Sequence, residues 1–234
     1  MDAATQTVAS AMEAYVKAQE ITARNVANVA TPGFKRNIAM FENVAGESEG
    51  TEVPTVTQVS LDLSQGSLTP TYNALDLAVK GDGFFTVQGP DGFSYTRNGS
   101  FRLDENRILV TQQGHPVLGE SGEIQIPDGG DQIVVGSSGD LSFGDVMVGK
   151  LRITTFQEPG MLRQKGSGEF NGDQAGPQAA LAADVRQGYL EASNVKPVAE
   201  LVRMMSTLRD YEGSARSLKA IEDSASKLYA WART

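Results

Sequence analysis

One histidine, His115, stands in a Gly-His-Pro turn, and no cysteine occurs anywhere in the 234 residues. A lone histidine makes a poor zinc site without a second imidazole or a thiolate, and no serine or aspartate is spaced to complete a relay with it. The missing cysteines remove disulfides, thiolate ligands and thiol nucleophiles. Gly81-Asp82-Gly83 and Gly166-Ser167-Gly168 look like fragments of phosphate loops, yet neither fits GxxxxGK[ST] or opens a helix as GxGxxG does. Asp82, Asp91, Asp104, Asp128 and Asp131 all sit in turn-like contexts, where a short carboxylate satisfies local backbone groups. No DxDxDG calcium loop is present. Asn98-Gly99-Ser100 fits a glycosylation sequon, but Asn-Gly is first of all a hairpin turn. The residues therefore assign no catalytic, cofactor-binding or metal-ligating role, and the expectation is a protein that is not an enzyme and takes no cofactor.

The charge narrows the partners. Twenty Lys+Arg face 29 Asp+Glu, for a net charge of −9. Phosphate backbones would be repelled, so no nucleic acid is expected. The first ten residues have neither a basic n-region nor an apolar stretch, so no cleaved signal peptide is expected. No apolar run approaches the ~18 residues of a membrane span, so no membrane insertion is expected. The acidity is local. Residues 1–36 carry +1, residues 37–185 carry −12 and residues 186–234 carry +2.

The same boundaries separate two textures. From Asp2 to Val29 no Gly or Pro intervenes, and Val8, Met12, Tyr15, Ala18, Thr22, Val26 and Val29 recur in steps of three and four. Thr31-Pro32-Gly33 then stops the helix, because Pro32 biases Thr31 away from helical geometry and Gly33 frees the backbone. From Pro197 onward Leu201, Met205, Leu208, Tyr211, Ala215, Leu218, Ile221, Ala225 and Leu228 repeat in the same way, with Ser193-Asn194 as the helix start. The ~35 residues from Pro197 onward would make a helical rod about 50 Å long.

Between the helices the pattern is β. Ala78–Lys80, Phe84–Gln88, Phe93–Arg97, Phe101–Leu103, Ile108–Thr111, Ile124–Ile126, Ile133–Val135, Leu141–Phe143 and Leu151–Phe156 are short apolar runs separated by Gly, Asn and Asp turns. Strands this short with no helices between them predict an antiparallel barrel or sandwich. The predicted fold class is α+β: terminal helices pairing as a coiled-coil-like stalk, with a central antiparallel β barrel or sandwich. The predicted organisation is an N-terminal helix over 1–36, a connector over 37–74, a β-rich domain over 75–165, a return connector over 166–188 and a C-terminal helix over 189–234.

Three stretches, in order, resemble one known family. They are Asn25–Arg36 (NVANVATPGFKR), Leu75–Gly119 with its Gly-Asp-Gly-Phe-Phe core, and Arg186–Glu212 opening on RQGYLEASNV. On these the chain resembles the bacterial flagellar rod and hook proteins. Its length and the Pro116–Pro127 run are closer to the proximal rod type, with the distal rod type next. Arg107 stands where many members carry Gly, so the turn after Asp104 is expected to rely on Asn106.

The resemblance implies a structural subunit of the basal-body rod, the torque-transmitting shaft that crosses the periplasm. It implies export through the flagellar type III apparatus without a cleaved signal, and assembly with other rod proteins and with copies of the chain itself. Subunit-interface positions are then expected at Val8, Met12, Tyr15, Val26, Leu201, Met205, Leu208, Leu218, Ile221 and Leu228. Asn25, Asn28, Pro32, Gly33 and Phe34 are expected to shape the exit from the N-terminal helix. A different class of reading is a β-module that binds a small ligand, carried on a dimerising helical stalk.

Overall fold

The Ala-rich N-terminal pattern forms helix α1, Ala3–Ala27, and the C-terminal pattern forms α2, Pro197–Trp231. The computed structural model describes residues 3–45, 52–129, 132–166, 168–180 and 183–231. Its contacts divide the chain into a helical unit (1–27, 37–60 and 195–234) and a β-rich unit (28–36 and 61–194).

In the helical unit α1 packs on α2. Strands β1 (Asn37–Ala45) and β2 (Glu52–Leu61) pair as a two-stranded ribbon, where a plain connector was expected. The core is small. Ala14 and Ile21 of α1 pack with Val56 of β2, and Ala39 and Val59 lean against them. The most buried positions of α1, namely Ala14, Ala18, Ile21, Thr22 and Asn25, recur at three and four residues on one face. That face is offset from the larger side chains, since Val8, Met12, Tyr15 and Val26 are only half-buried. Small alanines win the centre because they let another backbone approach closely.

The β-rich unit is built on β3 (Leu68–Pro70), β4 (Leu77–Lys80), β5 (Phe84–Gly89) and β6 (Gly92–Thr96). Four two-residue strands follow: β7 (Arg102–Leu103), β8 (Leu109–Val110), β9 (Leu118–Gly119) and β10 (Gly122–Glu123). Next come β11 (Ile133–Val135), β12 (Asp140–Phe143), β13 (Val146–Lys150) and β14 (Ile153–Phe156). Last are β15 (Arg163–Lys165), β16 (Glu169–Asn171), β17 (Pro177–Ala179), β18 (Asp184–Gln187) and β19 (Tyr189–Glu191). The segment expected as a return connector thus supplies β16 and β17 to the main sheet.

That sheet has six antiparallel strands in the order β15-β16-β6-β5-β14-β17, and β11-β12-β13 form a second sheet. No barrel closes among the described residues; the sheets remain separate, with the short pairs β18-β4, β19-β3, β7-β8 and β10-β9. The period of two explains the consecutive phenylalanines of the Gly-Asp-Gly-Phe-Phe motif. Phe85 and Val87 face a core with Leu77, Phe101, Leu109, Val117 and Leu141. Phe84 faces the opposite way, edge-on to Phe156 at 5.4 Å and to Phe170 at 5.6 Å. Two adjacent rings thus anchor β5 to two different cores.

Arg107, rather than Asn106, takes the left-handed position of the turn after Asp104, with φ +61°. Its guanidinium compensates by donating to the carbonyls of Ile126 (Nε, 3.0 Å) and Pro127 (Nη2, 2.7 Å). Arg107→Ala keeps the strain and loses those bonds, so it should cost about 1–2 kcal/mol in urea unfolding. Arg107→Gly also relieves about 1 kcal/mol of strain and should cost less than the alanine. Equal losses would mean that the backbone position carries no strain.

Candidate functional site: the motif junction and the uncovered helix face

The motif at the end of α1 works through polar atoms. Asn25 is buried and its Nδ2 donates to the Asn37 carbonyl (2.8 Å) and to Glu200 Oε2 (3.1 Å). The Asn37 amide returns a bond to Asn25 Oδ1 at 2.8 Å. One side chain therefore holds the first residue of the ribbon and the first turn of α2. Glu200, also buried, is further paired with Arg203 at 2.8 Å.

The rest of the motif belongs to the β-rich unit. The Thr31 hydroxyl and amide bond to Asn28, at 3.2 Å to Oδ1 and 3.1 Å to the carbonyl. Pro32 is half-buried in this turn. Gly33 has φ +68°, and a Cβ there would overlap the Arg97–Asn98 peptide. Its amide donates to the Glu191 carbonyl at 2.7 Å, so only glycine fits the approach. Phe34 is buried beside it.

Lys35 follows, fully buried. Its Nζ lies 2.7 Å from Glu191 Oε1 and donates to the carbonyls of Ser64 (2.8 Å) and Leu63 (3.3 Å). The other Glu191 oxygen lies 3.2 Å from Arg97 Nη1, and the Gly66 amide donates to Oε1 at 3.0 Å. Arg97 is itself buried, donates to the Gly81 carbonyl at 2.7 Å and stacks on Phe84, 4.8 Å from the ring centroid. One buried carboxylate thus serves two buried cations, and the three side chains come one from each of the three motif stretches: Lys35 from TPGFK, Arg97 from TRNG and Glu191 from GYLE. Burial pulls the Lys35 ammonium below the ordinary lysine range, with the Glu191 carboxylate acting against it. Desolvation lowers Arg97 in the same sense.

A second ring of bonds ties the segments where the chain enters and leaves this unit. The Arg36 amide donates to Asn194 Oδ1 (2.8 Å), Asn194 Nδ2 to the Asp62 carbonyl (2.7 Å), and the Asp62 amide to the Arg36 carbonyl (2.8 Å). Asn194 is therefore not a helix cap; α2 begins three residues later. The Asp62 carboxylate is held below its usual range chiefly by the Ser64 hydroxyl at 2.6 Å, with the Ser64 amide and Arg36 adding to it. A carboxylate lowered in the folded state stabilises above its unfolded pKa, and that stability is lost as pH falls through the folded one. The melting temperature of the β-rich unit should therefore drop as pH falls below about 4. Asp62→Asn should flatten that drop, as followed by circular dichroism; an unchanged slope would exclude Asp62 as a contributor.

Neither Lys35, Glu191 nor Arg97 was picked out as a site residue from the sequence. The signal was there, in charged residues inside otherwise apolar or turn motifs, but the partners lie 156 and 94 positions apart. The predicted interface residues separate into two groups. Val8, Met12, Tyr15, Val26, Leu218 and Ile221 are half-buried within the helical unit, Met12 lining an open groove with Val16 and Tyr211. Leu201, Met205 and Leu208 are exposed, and with Val198 and Val202 they form an apolar stripe. The half-buried positions of that part of α2 are instead Met204, Thr207 and Tyr211. The side chain of Leu228 lies outside the described residues, as does that of Trp231.

His115 places Nδ1 2.7 Å from Oε1 of buried Glu169. No cluster of three or more potential metal ligands occurs among the described residues, and no described helix is long and apolar enough to cross a membrane.

Three family models match the chain in order. Residues 6–35 match the flagella basal body rod protein model, 78–143 the flagellar hook protein FlgE/F/G D1 domain, and 186–229 the flagellar basal body rod FlgEFG protein C-terminal. The chain is 34% identical to the flagellar basal-body rod protein FlgF of Escherichia coli over 97% of each chain. It is 34% identical to FlgF of Caulobacter vibrioides over 85% of each. With FlgG of Buchnera aphidicola from Schizaphis graminum it shares 33% identity over 89% of this chain and 91% of the relative. The buried junction is assembled from residues inside or beside these matched segments, and the chain belongs to the flagellar basal-body rod protein family.

Proposed function

We propose that the chain is a structural subunit of the flagellar rod, of the proximal FlgF type, exported through the flagellar secretion apparatus to a periplasmic shaft. The uncovered stripe Val198, Leu201, Val202, Met205 and Leu208 is the observation that carries this reading. Among the described residues of the helical unit, Ile21, Val56 and Val195 are the only large aliphatics fully buried, so more apolar bulk is left outside than in. A face of that kind marks a protein interface. Copies joined head to tail through it form an open helical assembly rather than a closed dimer, and the terminal helices would then pack as a coiled-coil-like inner tube. The β-rich unit, pinned at its junction, supplies stiffness for torque. The similarity to FlgG keeps the distal rod type as the second reading.

The test is complementation of a strain lacking the gene with Leu201→Asp/Met205→Asp. Motility should be lost and basal bodies should lack a completed rod by electron microscopy, while the purified variant keeps the unfolding of its β-rich unit. Wild-type motility would overturn the stripe as an assembly contact. The level at which rod growth stops separates the proximal from the distal type. Leu218→Asp is the contrast, because it attacks α2 on its half-buried side and should disturb the helix pair in the isolated subunit.

A further inference from the structure

The α2 stripe has a matching surface on the same unit. Ribbon strand β1 carries Met40 and Phe41, both about half exposed. A two-stranded ribbon is marginal in water unless something covers it, and here Ala39, Val56 and Val59 face the core while Met40 and Glu42 alternate away from it. Phe41 lies at the rim, its ring 6.5 Å from that of Tyr15.

The charges complement each other. From Asn37 to Leu61 the sequence has four glutamates and neither lysine nor arginine. The stripe on α2 continues along the same helical face into exposed Arg209, Arg216 and Lys219, with Glu212 among them and Asp223 one turn beyond. Exposed Glu42 beside the ribbon patch is therefore matched in kind by exposed Arg209 beside the stripe. Pairing stripe with stripe would instead set like charges together.

We propose that the α2 stripe of one copy is covered by the β1–β2 ribbon of a second copy, Met40 seating among Leu201, Val202 and Met205 with Phe41 at the edge of the contact and Glu42 toward Arg209. This rests on the self-assembly reading above and names its contact. The two surfaces are different patches of one chain, so the contact is heterologous and leaves each end free to take the next subunit.

The absence of native cysteine makes the test direct. Full-length Met40→Cys and Met205→Cys variants are purified separately, then treated with a short bismaleimide alone and as an equal mixture. The mixture should give at least about tenfold more cross-linked dimer than either variant alone, as a contact favoured by about 1.4 kcal/mol over its competitors would. Adding Glu42→Lys to the Met40→Cys copy should reduce the yield, and Arg209→Glu in the Met205→Cys copy should restore it. A dimer forming as readily from Met205→Cys alone, or no dimer in the mixture, overturns the proposal. Absent cross-linking together with lost motility in Leu201→Asp/Met205→Asp overturns only this contact and shows that the stripe meets another protein. Wild-type motility in that variant overturns the assembly reading itself.

Discussion

Glu191→Ala should destabilise the β-rich unit by about 3–5 kcal/mol, the usual cost of breaking a buried ion pair by removing one partner. Both cations it serves are buried, Lys35 at 0% and Arg97 at 4% side-chain exposure, so neither can turn to water when the carboxylate goes. The Gly66 amide loses its acceptor as well. Against a typical domain stability of 5–15 kcal/mol that is a large fraction. Lys35→Met should cost less, because Arg97 still neutralises Glu191, the Gly66 amide still donates to Glu191 Oε1, and the carbonyls of Leu63 and Ser64 are left short of a donor. The single tryptophan, Trp231, belongs to the helical unit, so amide hydrogen exchange of β4, β5 and β6 is the appropriate measurement. Equal losses for the two variants would mean that hydrogen bonds to the loop, rather than charge balance, hold the junction.

Asn25→Leu should release the helical unit while leaving the β-rich unit intact. Leucine has the same branching and number of side-chain heavy atoms as asparagine, so the main loss is polar. The Asn37 amide, the Asn37 carbonyl and Glu200 each lose a partner in a buried setting. At about 1–3 kcal/mol for each group left unsatisfied, the total reaches about 3–5 kcal/mol even when water reaches part of the site. Exchange should accelerate at the Asn37 amide and in the first turn of α2, while amides of β5 and β6 keep their protection. Uniform acceleration across both units would show that the two unfold as one cooperative body. Unchanged exchange at Asn37 would remove Asn25 from its anchoring role.

Much of the architecture was readable because it depends on local periodicity. The three-and-four spacing from Val8 to Val26 and from Leu201 to Ala225 predicts both helices, which span 25 and 35 residues. Alternation and Asn/Gly turns likewise place β4, β5, β6, β11, β12 and β14 close to where they form. The ribbon was less legible, since its sequence is broken by a glutamate-rich stretch and Ala39, Val56 and Val59, which pack at its core, do not follow a simple alternation. The expected interface positions divide by side-chain size. Close helix contact within the unit favours Ala14 and Ala18, while the larger Leu201, Met205 and Leu208 face outward.

What the sequence determined by itself was every choice that two to seven neighbouring residues can make: helix, strand, turn and the stop at Thr31-Pro32-Gly33. What only the tertiary structure decided was which polar groups would be buried together. Lys35, Arg97 and Glu191 each stand out locally as a charge inside an apolar or turn motif, but nothing within seven positions of any of them says that the three share a site. Their role follows from desolvation, which leaves both cations without water and makes Glu191 their necessary shared partner, 156 and 94 residues away along the chain.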